Sequence, residues 1–437
     1  MKIEFTLVND LRPYPNNART HSKKQIRQIA NSIAKFGFCN PVLIDDAKQI
    51  IAGHGRVEAA KLLGIDAVPT CRLSHLSEAD KRAYILADNK LAEKAGWDKE
   101  LLAIELQGLI DLDVEIELTG FEMPEIDLIL EDAREANGAL SGPEDDVPQY
   151  PSGPVVTQAG DLWVLGNHRL LCADARDPTA YGSLLEGAKA EFVLTDPPYN
   201  VAIDRNVCGL GRIRHRDFAM GCGEMSEAEF IAFLETVFER LAENTIDGSI
   251  HQICMDWRHM WEMLAAGRKV YSELKNLCVW NKTNAGMGTF YRSKHELVFV
   301  WKSGTAVHTN NFDLGQHGRN RTNVWDYAGI SSLRAVGRSE ELAMHPTVKP
   351  VALVADGIKD CSRRGGLVLD AFCGSGTILI AAERTGRKAR ALEVDPTYVD
   401  VGVRRWQNYT GKNAVLAASG ETFETIEEQR AAKPAAA

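Results

Sequence analysis

Two periods alternate in the hydrophobic positions at the start of the chain, and together they predict a small α+β domain over residues 1–75. Ile26, Ile29 and Ile33 recur at helical spacing and indicate one amphipathic helix. The apolar runs between residues 41 and 53 are short, as expected for the two strands of a hairpin. The first domain is therefore expected to pack helices on a small sheet.

The pattern changes further along the chain. Residues 76–135 have a helical pattern with many acidic side chains, and residues 136–158 are rich in Gly, Pro, Asp and Ser, which predicts a linker. From residue 159 strands alternate with helices, so residues 159–411 should form an α/β domain of Rossmann-like type with a mostly parallel twisted sheet. The low-complexity end predicts a disordered tail over residues 412–437.

The net charge of −10 would argue against a nucleic-acid partner if it were evenly spread, but it is not. Residues 1–75 carry 11 basic and 6 acidic side chains, whereas residues 76–150 carry 6 basic and 20 acidic ones. Residues 258–302 carry 8 basic and 3 acidic side chains, a local excess that suits a phosphate-facing surface or an ordinary solvated face. The overall charge therefore does not exclude DNA as a partner.

The cysteine spacing and the hydropathy of the sequence indicate the cellular compartment of the protein. Nine cysteines without any C-x-x-C pair argue against a disulfide framework and against a structural zinc site. The sequence shows neither a signal-peptide pattern nor an apolar stretch of the ~20 residues that a membrane span needs. We expect a reducing cytoplasm, with no membrane and no metal.

The run Asp196-Pro197-Pro198-Tyr199 follows a buried apolar stretch and carries the clearest chemistry. Two prolines forbid the strand from continuing, so the tetrad sits at the carboxyl end of a strand, where open α/β sheets bind ligands. A carboxylate and the Pro197 carbonyl can accept both N–H groups of an aromatic amine and turn its lone pair outward. The ring of Tyr199 can stack on the base that bears the amine. An ordinary strand-ending turn is the plain alternative, and the combination of residues favours function.

A second strand, ending at Asp370, leads into the glycine turn 373–376 and then a helix. Glycines let a ligand approach the backbone and the N–H groups of a helix start. Glu393 ends the next apolar run, 19 residues after Gly374, near the ~20-residue spacing at which an acid reaches ribose hydroxyls. We expect the strands ending at Asp196 and Asp370 to lie side by side.

These motifs, in this order, resemble the β class of amino-methylating (N6-adenine or N4-cytosine) DNA methyltransferases. Two further matches are the run His345-Pro346-Thr347-Val348-Lys349-Pro350 and the short strand that ends at Asp174. The resemblance covers roughly residues 160–410 and implies S-adenosylmethionine as the methyl donor. It also implies direct transfer to a base flipped out of the duplex, without a covalent enzyme intermediate.

The resemblance assigns roles residue by residue. The catalytic set is Asp196, Pro197, Pro198 and Tyr199. The cofactor set is Asp174, His345, Thr347, Lys349, Asp370, Phe372, Gly374, Ser375, Gly376, Thr377, Glu393 and Asp395. Aspartate as the first member of the tetrad leans toward N6 of adenine, with N4 of cytosine as the alternative.

The N-terminal domain resembles the ParB N-terminal domain through Asn40-Pro41-Val42 and the turn at Gly53, Gly55 and Arg56. In that family such a turn binds nucleotide phosphates, which implies a nucleotide such as CTP. His54 and Gly55 stand where the family has Glu-Arg, so a structural turn is an equal alternative. A second function follows from this resemblance: a ParB-like, nucleotide-gated DNA-binding adaptor with an inactive methyltransferase part.

Double-stranded DNA is the expected partner, and a homodimer is left open. RNA or protein-amide methylation is a third candidate activity, which fits the permuted motif order and the large insert less well. We find no nuclease motif in the chain, in keeping with a stand-alone modification enzyme of a bacterium or phage. Two arginine-rich loops could grip or read DNA. Their candidate residues are Arg205, Arg212, Arg214, Arg216, Arg319 and Arg321.

Overall fold

The fold is taken from a computed structural model, in which the chain divides into two units, Met1–Gly138 and Ala139–Ala437. The structure describes residues 2–112, 114–136, 143–148, 153–201, 223–283, 290–312, 315, 319–329 and 348–432. In that part of the chain, no helix combines the length and the apolar character that a membrane crossing requires.

The first unit begins with a four-stranded sheet in the order β1-β4-β2-β3. Its elements are β1 (Ile3–Leu7), α1 (Lys23–Phe36), β2 (Val42–Ile44), β3 (Ile50–Ala52), α2 (His54–Leu62), β4 (Ala67–Arg72), α3 (Glu78–Ala92), α4 (Lys99–Asp111) and α5 (Met123–Ala136). The predicted hairpin is confirmed, since β2 and β3 pair antiparallel. The predicted helix is α1, which Ser22 caps through the Gln25 N–H.

The predicted domain boundary at residue 75 falls inside a packed region. Ile85 of α3 is buried together with Ile51 and Leu73 of the small sheet, so α3 completes the first domain. Helices α4 and α5 form a separate small core, with Leu106 and Ile126 at its centre. The acidic segment predicted over residues 76–135 therefore divides between two hydrophobic clusters.

The second unit contains a ten-stranded sheet in the order β11-β9-β10-β8-β7-β12-β13-β6-β5-β14. Its strands are β5 (Leu162–Leu165), β6 (His168–Cys172), β7 (Ala190–Thr195), β8 (Thr245–Met255), β9 (Glu273–Asn281), β10 (His295–Lys302), β11 (Val324–Asp326), β12 (Leu367–Asp370), β13 (Lys388–Glu393) and β14 (Val415–Leu416). Its helices are α6 (Pro178–Leu185), α7 (Glu227–Glu243), α8 (Met260–Val270), α9 (Val351–Cys361), α10 (Thr377–Thr385), α11 (Pro396–Thr410) and α12 (Phe423–Ala432).

The predicted Rossmann-like architecture is confirmed in the centre of this sheet. The five strands β8, β7, β12, β13 and β6 are parallel to their neighbours, and antiparallel strands flank them on both sides. Two apolar clusters form the core of this unit. Buried on both faces, the central strands have near-continuous apolar runs rather than an alternating pattern.

Strands β7 and β12 are direct neighbours, as the sequence predicts. Phe192 pairs with Val368 and Val193 with Leu369 in parallel register. Parallel neighbours end at the same edge of a sheet, so the tetrad after β7 and the glycine turn after β12 emerge side by side. This edge is where doubly wound sheets bind ligands.

The prediction of a disordered tail over residues 412–437 is wrong for residues 412–432. Strand β14 pairs with β5, and helix α12 buries Phe423 and Ile426. The Phe423 ring lies 5.0 Å from that of Trp163, centroid to centroid. The composition of the tail did not reveal that Phe423 and Ile426 are spaced to lie on one face of a helix. Burial of these two side chains is enough to attach one short helix to the core.

The predicted linker, residues 136–158, is also packed where the structure describes it. Glu144 is buried and forms an ion pair with Arg384 at 2.8 Å. Asp145 accepts a hydrogen bond of 2.9 Å from the N–H of Val351, at the start of α9. A Gly- and Pro-rich composition therefore did not distinguish a free linker from a segment pinned by polar contacts.

Substituting Phe423 tests the docking of α12. Phe423→Ala should lower the free energy of unfolding of the full chain by about 3 kcal/mol, because a fully buried ring is lost from the core. Glu428→Ala, on the exposed side of the same helix, should change it by less than about 0.5 kcal/mol. Urea denaturation followed by tryptophan fluorescence measures both variants, and equal effects would show that α12 does not contribute to the core.

Candidate active site

One cavity lies at the carboxyl edge of β7, β12 and β13 and brings most of the predicted catalytic and cofactor residues together. Leu194, Asp196, Pro197, Pro198, Tyr199, Val348, Lys349, Val354, Asp370, Phe372, Cys373, Gly374, Ser375, Thr377, Ile378, Glu393, Val394, Asp395 and Tyr398 line it. The tetrad and the glycine turn therefore share one space. The sequence prediction did not include Leu194, Val354, Ile378 or Tyr398, because an isolated apolar or aromatic residue carries no motif.

The catalytic turn is held by a residue that the sequence analysis missed. Asn200, directly after Tyr199, has a left-handed backbone (φ 52°) and a buried side chain. Its Oδ1 accepts from the N–H groups of Gly223 and Met225 at 3.1 and 3.2 Å, and its Nδ2 donates to the Met225 carbonyl at 2.8 Å. Asparagine tolerates this conformation better than most residues. Its hydrogen bonds fix the backbone directly after the tetrad.

Asp196 belongs to a cluster of four charged side chains and one phenol. The Tyr199 hydroxyl donates to Asp196 Oδ1, and Lys349 Nζ donates to Asp196 Oδ2. Lys349 Nζ also lies 3.3 Å from Glu296 Oε2, and Lys282 forms an ion pair with the other oxygen of Glu296. Two carboxylates and two ammonium groups are thus interlocked, so the cluster has no net charge.

Burial and pairing act in opposite directions on the pKa values of this cluster. Burial raises the pKa of Asp196, and Lys349 only partly offsets it. Burial also opposes the charge of Glu296, but Lys349 and Lys282 together lower its pKa to about 2. Burial disfavours the ammonium of Lys349 as well, yet the pKa of that group is raised by Asp196, Cys254 and Glu296. Glu296 is therefore a firmly ionised partner, and Asp196 is the more basic carboxylate.

The side of the cavity formed by the glycine turn carries two acids that organise this turn, Asp370 and Glu393. Asp370 Oδ1 accepts from the Thr195 hydroxyl at 2.7 Å and from the Phe372 N–H at 3.0 Å. Glu393 accepts from the Gly374 N–H at 2.8 Å and so crosses from β13 to the turn. Burial raises the pKa of Asp370 to about 7 and that of Glu393 to about 6.

The glycine turn needs glycine at two of its positions. Gly374 and Gly376 both have left-handed backbones, with φ of 52° and 83°. A Cβ atom on Gly376 would approach Gly402 of α11 to 3.0 Å. Gly376 is not among the residues that line the cavity and occupies the N-cap of α10, so its predicted cofactor contact stays a prediction.

Arg405, which is not among the predicted site residues, stabilises the glycine turn through hydrogen bonds. The side chain is buried and donates to the Thr377 hydroxyl at 3.0 Å and to the Ser375 carbonyl at 3.3 Å. It also donates to the carbonyl of Glu144 at 2.8 Å. Arg405 thereby connects the segment around Glu144, which precedes the ten-stranded sheet, to the glycine turn.

Three further predicted cofactor residues have no position at the cavity among the described residues. Asp174 follows β6 and forms an ion pair of 2.6 Å with Arg176, and it is not among the residues that line the cavity. His345 and Thr347 lie outside the described residues. Their contact with a cofactor stays a prediction.

The arginines predicted to grip DNA fall into two groups. Arg205, Arg212, Arg214 and Arg216 lie outside the described residues. The prediction for Arg319 and Arg321 is wrong, because both side chains are largely buried in ion pairs. They contact Asp360 of α9 at 2.5 and 3.0 Å and so attach the strand-β11 region to that helix. A buried, paired guanidinium cannot read a base edge.

The residues of the predicted N-terminal anion site, Gly53, Gly55 and Arg56, lie at the start of α2. Gly53 is the N-cap with φ 102°, and a Cβ atom there would lie 2.9 Å from Arg56 Nη2. His54 turns away, since its Nε2 accepts a 3.3 Å hydrogen bond from the Tyr14 N–H. The structure thus brings Gly53 and Arg56 together, while nucleotide binding at this turn stays a prediction.

Three family descriptions match the chain. Residues 190–404 match the family described as DNA methylase, and residues 2–90 match the ParB N-terminal domain. Residues 100–159 match the helix-turn-helix (HTH) domain of ParB-methyltransferases. This match covers most of the predicted acidic helical segment and all of the predicted linker.

Different relatives match the ParB-like domain and the methylase domain. The ParB-like nuclease domain-containing protein YnaK of Escherichia coli is 50% identical over 82 residues, which is 19% of this chain and 94% of YnaK. The DNA adenine methyltransferase YhdJ of E. coli is 25% identical over 248 residues, covering 49% of this chain and 75% of YhdJ. Among solved structures, the cytosine-N4-specific PvuII DNA methyltransferase is 16% identical with a TM-score of 0.43, covering 61% of this chain and 93% of that one.

The raised pKa of Asp370 predicts a pH-dependent stability. Since the folded pKa of about 7 exceeds the unfolded value of 3.8, the folded state holds this proton more tightly. Stability is therefore highest below pH 4 with respect to this group and is lost as pH rises toward 7. Between pH 5 and pH 8 the wild type should lose about 2 kcal/mol relative to Asp370→Asn. Urea titrations at four pH values measure this difference, and parallel curves for the two proteins would contradict it.

Proposed function

The chain belongs to the DNA methylase family, with the catalytic module in residues 190–404 and a ParB N-terminal domain before it, and from this premise we propose its reaction. The reaction is transfer of a methyl group from S-adenosylmethionine to the N6 amine of an adenine flipped out of double-stranded DNA. One observation carries the proposal: Asp196 and Tyr199 share a single cavity with Gly374 and Glu393.

The cavity residues fit S-adenosylmethionine. Glu393 offers a buried carboxylate at the end of β13, the position from which an acid reaches ribose hydroxyls. The left-handed Gly374 leaves the turn open to close approach by a ligand. Phe372, Ile378 and Tyr398 supply apolar and aromatic surface for an adenine ring. The cofactor supplies an electrophilic methyl on sulfur.

The residues of the tetrad position and deprotonate the amine. The Asp196 carboxylate and the Pro197 carbonyl accept its two N–H groups, which directs the nitrogen lone pair toward the cofactor side of the cavity. The nitrogen gains a bond and loses a proton in the reaction, so a nearby base is required. Burial raises the pKa of Asp196, which makes it a better acceptor for that proton than an exposed carboxylate.

Adenine is the base that we propose, for two reasons. An aspartate leads the tetrad, and the relative YhdJ, which covers half of this chain, carries the name of an adenine methyltransferase. N4 of cytosine presents the same amine to the same acceptors, which keeps it as the alternative product. An inactive methyltransferase part is disfavoured, because the tetrad, the glycine turn and Glu393 are all present and assembled.

Two exposed aromatic side chains mark a surface that suits DNA. Phe290 and Tyr291 are 87% and 82% exposed and pack edge to face on each other at 4.7 Å. They precede β10, which carries Glu296, and Lys282 directly after β9 pairs with that residue. An exposed aromatic pair in the chain segment next to the charge cluster can stack on the bases beside the flipped one.

Asp196→Ala tests the reaction. We expect the methylation rate at saturating DNA and cofactor to fall at least 1000-fold, roughly the combined effect of losing the amine acceptor and the proton acceptor, with unchanged affinity for S-adenosylmethionine. Tritium transfer to DNA measures the rate, and mass analysis of digested nucleosides identifies the product base.

Asp256→Ala is the matched control, because Asp256 follows the neighbouring strand β8 and caps a short turn instead of lining the cavity. Its rate should stay within about threefold of the wild type. A wild-type protein that binds the cofactor but methylates no DNA would instead favour the adaptor function.

A double variant tests the aromatic surface. Phe290→Ala with Tyr291→Ala should raise the KM for DNA about tenfold, since each stacked base contributes ~1–3 kcal/mol. Affinity for the cofactor should not change. Val307→Ala, 94% exposed near the opposite end of β8, is the control and should leave the KM for DNA as it is. An unchanged KM in the double variant would remove this surface from the DNA interface.

A further inference from the structure

The acceptor that the reaction needs is held by another group. Lys349 Nζ donates to Asp196 Oδ2 and lies 3.4 Å from the Tyr199 hydroxyl, where an incoming amine would have to bind. The ammonium therefore occupies the place of the substrate N–H group. For the amine to reach Asp196, Lys349 has to give up this hydrogen bond.

The released ammonium cannot remain unpaired. The side chain of Lys349 is only 5% exposed, and a buried cation without a partner is strongly destabilising. Glu296 Oε2 already lies 3.3 Å from Lys349 Nζ and 3.5 Å from the Tyr199 hydroxyl. A small rotation of the lysine side chain would replace one carboxylate by the other without exposing the charge.

We propose that Glu296 is a positioning residue, which takes over Lys349 when the target amine binds Asp196. This role rests on the proposed methyl transfer and adds a residue that the tetrad and the cofactor turn do not include. Glu296 acts through Lys349 and does not touch the base. The exchange keeps both carboxylates hydrogen-bonded and conserves the charge of the cluster at every stage.

Lys282 makes Glu296 suitable for this role. It forms an ion pair with the oxygen of Glu296 that Lys349 leaves free. The two lysines keep the pKa of Glu296 at about 2, whereas burial raises that of Asp196. Glu296 is thus a charged acceptor for Lys349 at every working pH, and Asp196 remains free to take the amine and its proton.

A double-mutant cycle separates this role from a purely structural one. Glu296→Gln should lower kcat about 100-fold, because Lys349 then has Asp196 as its only carboxylate partner. In a Lys349→Met background the same substitution should change kcat by less than about threefold, since no ammonium competes for Asp196. Rates are measured by tritium transfer at saturating DNA and cofactor.

The pH profile supplies a second readout. In Glu296→Gln the pKa of Lys349 should fall, because one of its two carboxylates is lost. The ratio of its kcat to that of the wild type should therefore increase with pH, as the lysine loses its proton more readily and releases Asp196. Thermal unfolding and calorimetric binding of S-adenosylmethionine show whether the variants fold. If Glu296→Gln does not fold, the same cycle is run with Glu296→Asp, whose shorter side chain withdraws the carboxylate from Lys349, and a smaller loss of kcat is then expected in the Lys349 background only.

Three results would overturn the role of Glu296. They are an equal loss of kcat in both backgrounds, an unchanged kcat in Glu296→Gln, and a Lys349→Met enzyme that folds and binds S-adenosylmethionine but transfers no methyl group. The last counts because the ammonium is proposed as a competitor for Asp196 and not as a participant. Absence of methyl transfer in the wild type would be a failure of the proposed function itself and is distinguished by that measurement.

Discussion

The parallel pairing of β7 with β12 is the constraint on which the site depends. Residues Phe192 and Val368 are far apart in the chain, but their pairing makes the two strands end together. The proline-terminated turn after one strand and the glycine turn after the other then form two walls of one cavity. The bond from Thr195 to Asp370, 2.7 Å long, links the two strand ends directly. A different neighbour for β7 would leave both motifs intact in sequence and separate in space.

Burial at this edge determines the electrostatics as well as the position. Asp370 and Glu393 have raised pKa values because few charges offset their desolvation, and both serve mainly to accept backbone or hydroxyl hydrogen bonds. Asp196 and Glu296 lie among lysines, and the pairing divides them into one basic and one strongly acidic carboxylate. These four carboxylic acids thus differ in pKa because they differ in burial and in the charges around them.

Much of the fold and of the site was predictable from local sequence. Buried strands, the tetrad and the glycine turn are each contiguous, so periodicity and spacing locate them. Glu296 and Arg405 could not be found in this way, because each acts through partners more than 25 residues away, Lys349 and Thr377 respectively. Arg319 was misassigned for the same reason, since an arginine in a polar stretch looks alike whether it faces DNA or an aspartate on a helix.

The region predicted as a linker shows why composition alone misleads about coupling between parts of the chain. Glu144 and Asp145 are surface-type residues in a Gly- and Pro-rich stretch, yet each contacts an element that supports the cavity. The Glu144 carbonyl accepts from Arg405, which supports the glycine turn, and Asp145 accepts from the first N–H of α9, which begins two residues after Lys349. A displacement of this short segment would therefore disturb the glycine turn and the lysine of the charge cluster together. The segment that precedes the methylase domain is thus coupled to both walls of the cavity without lining it.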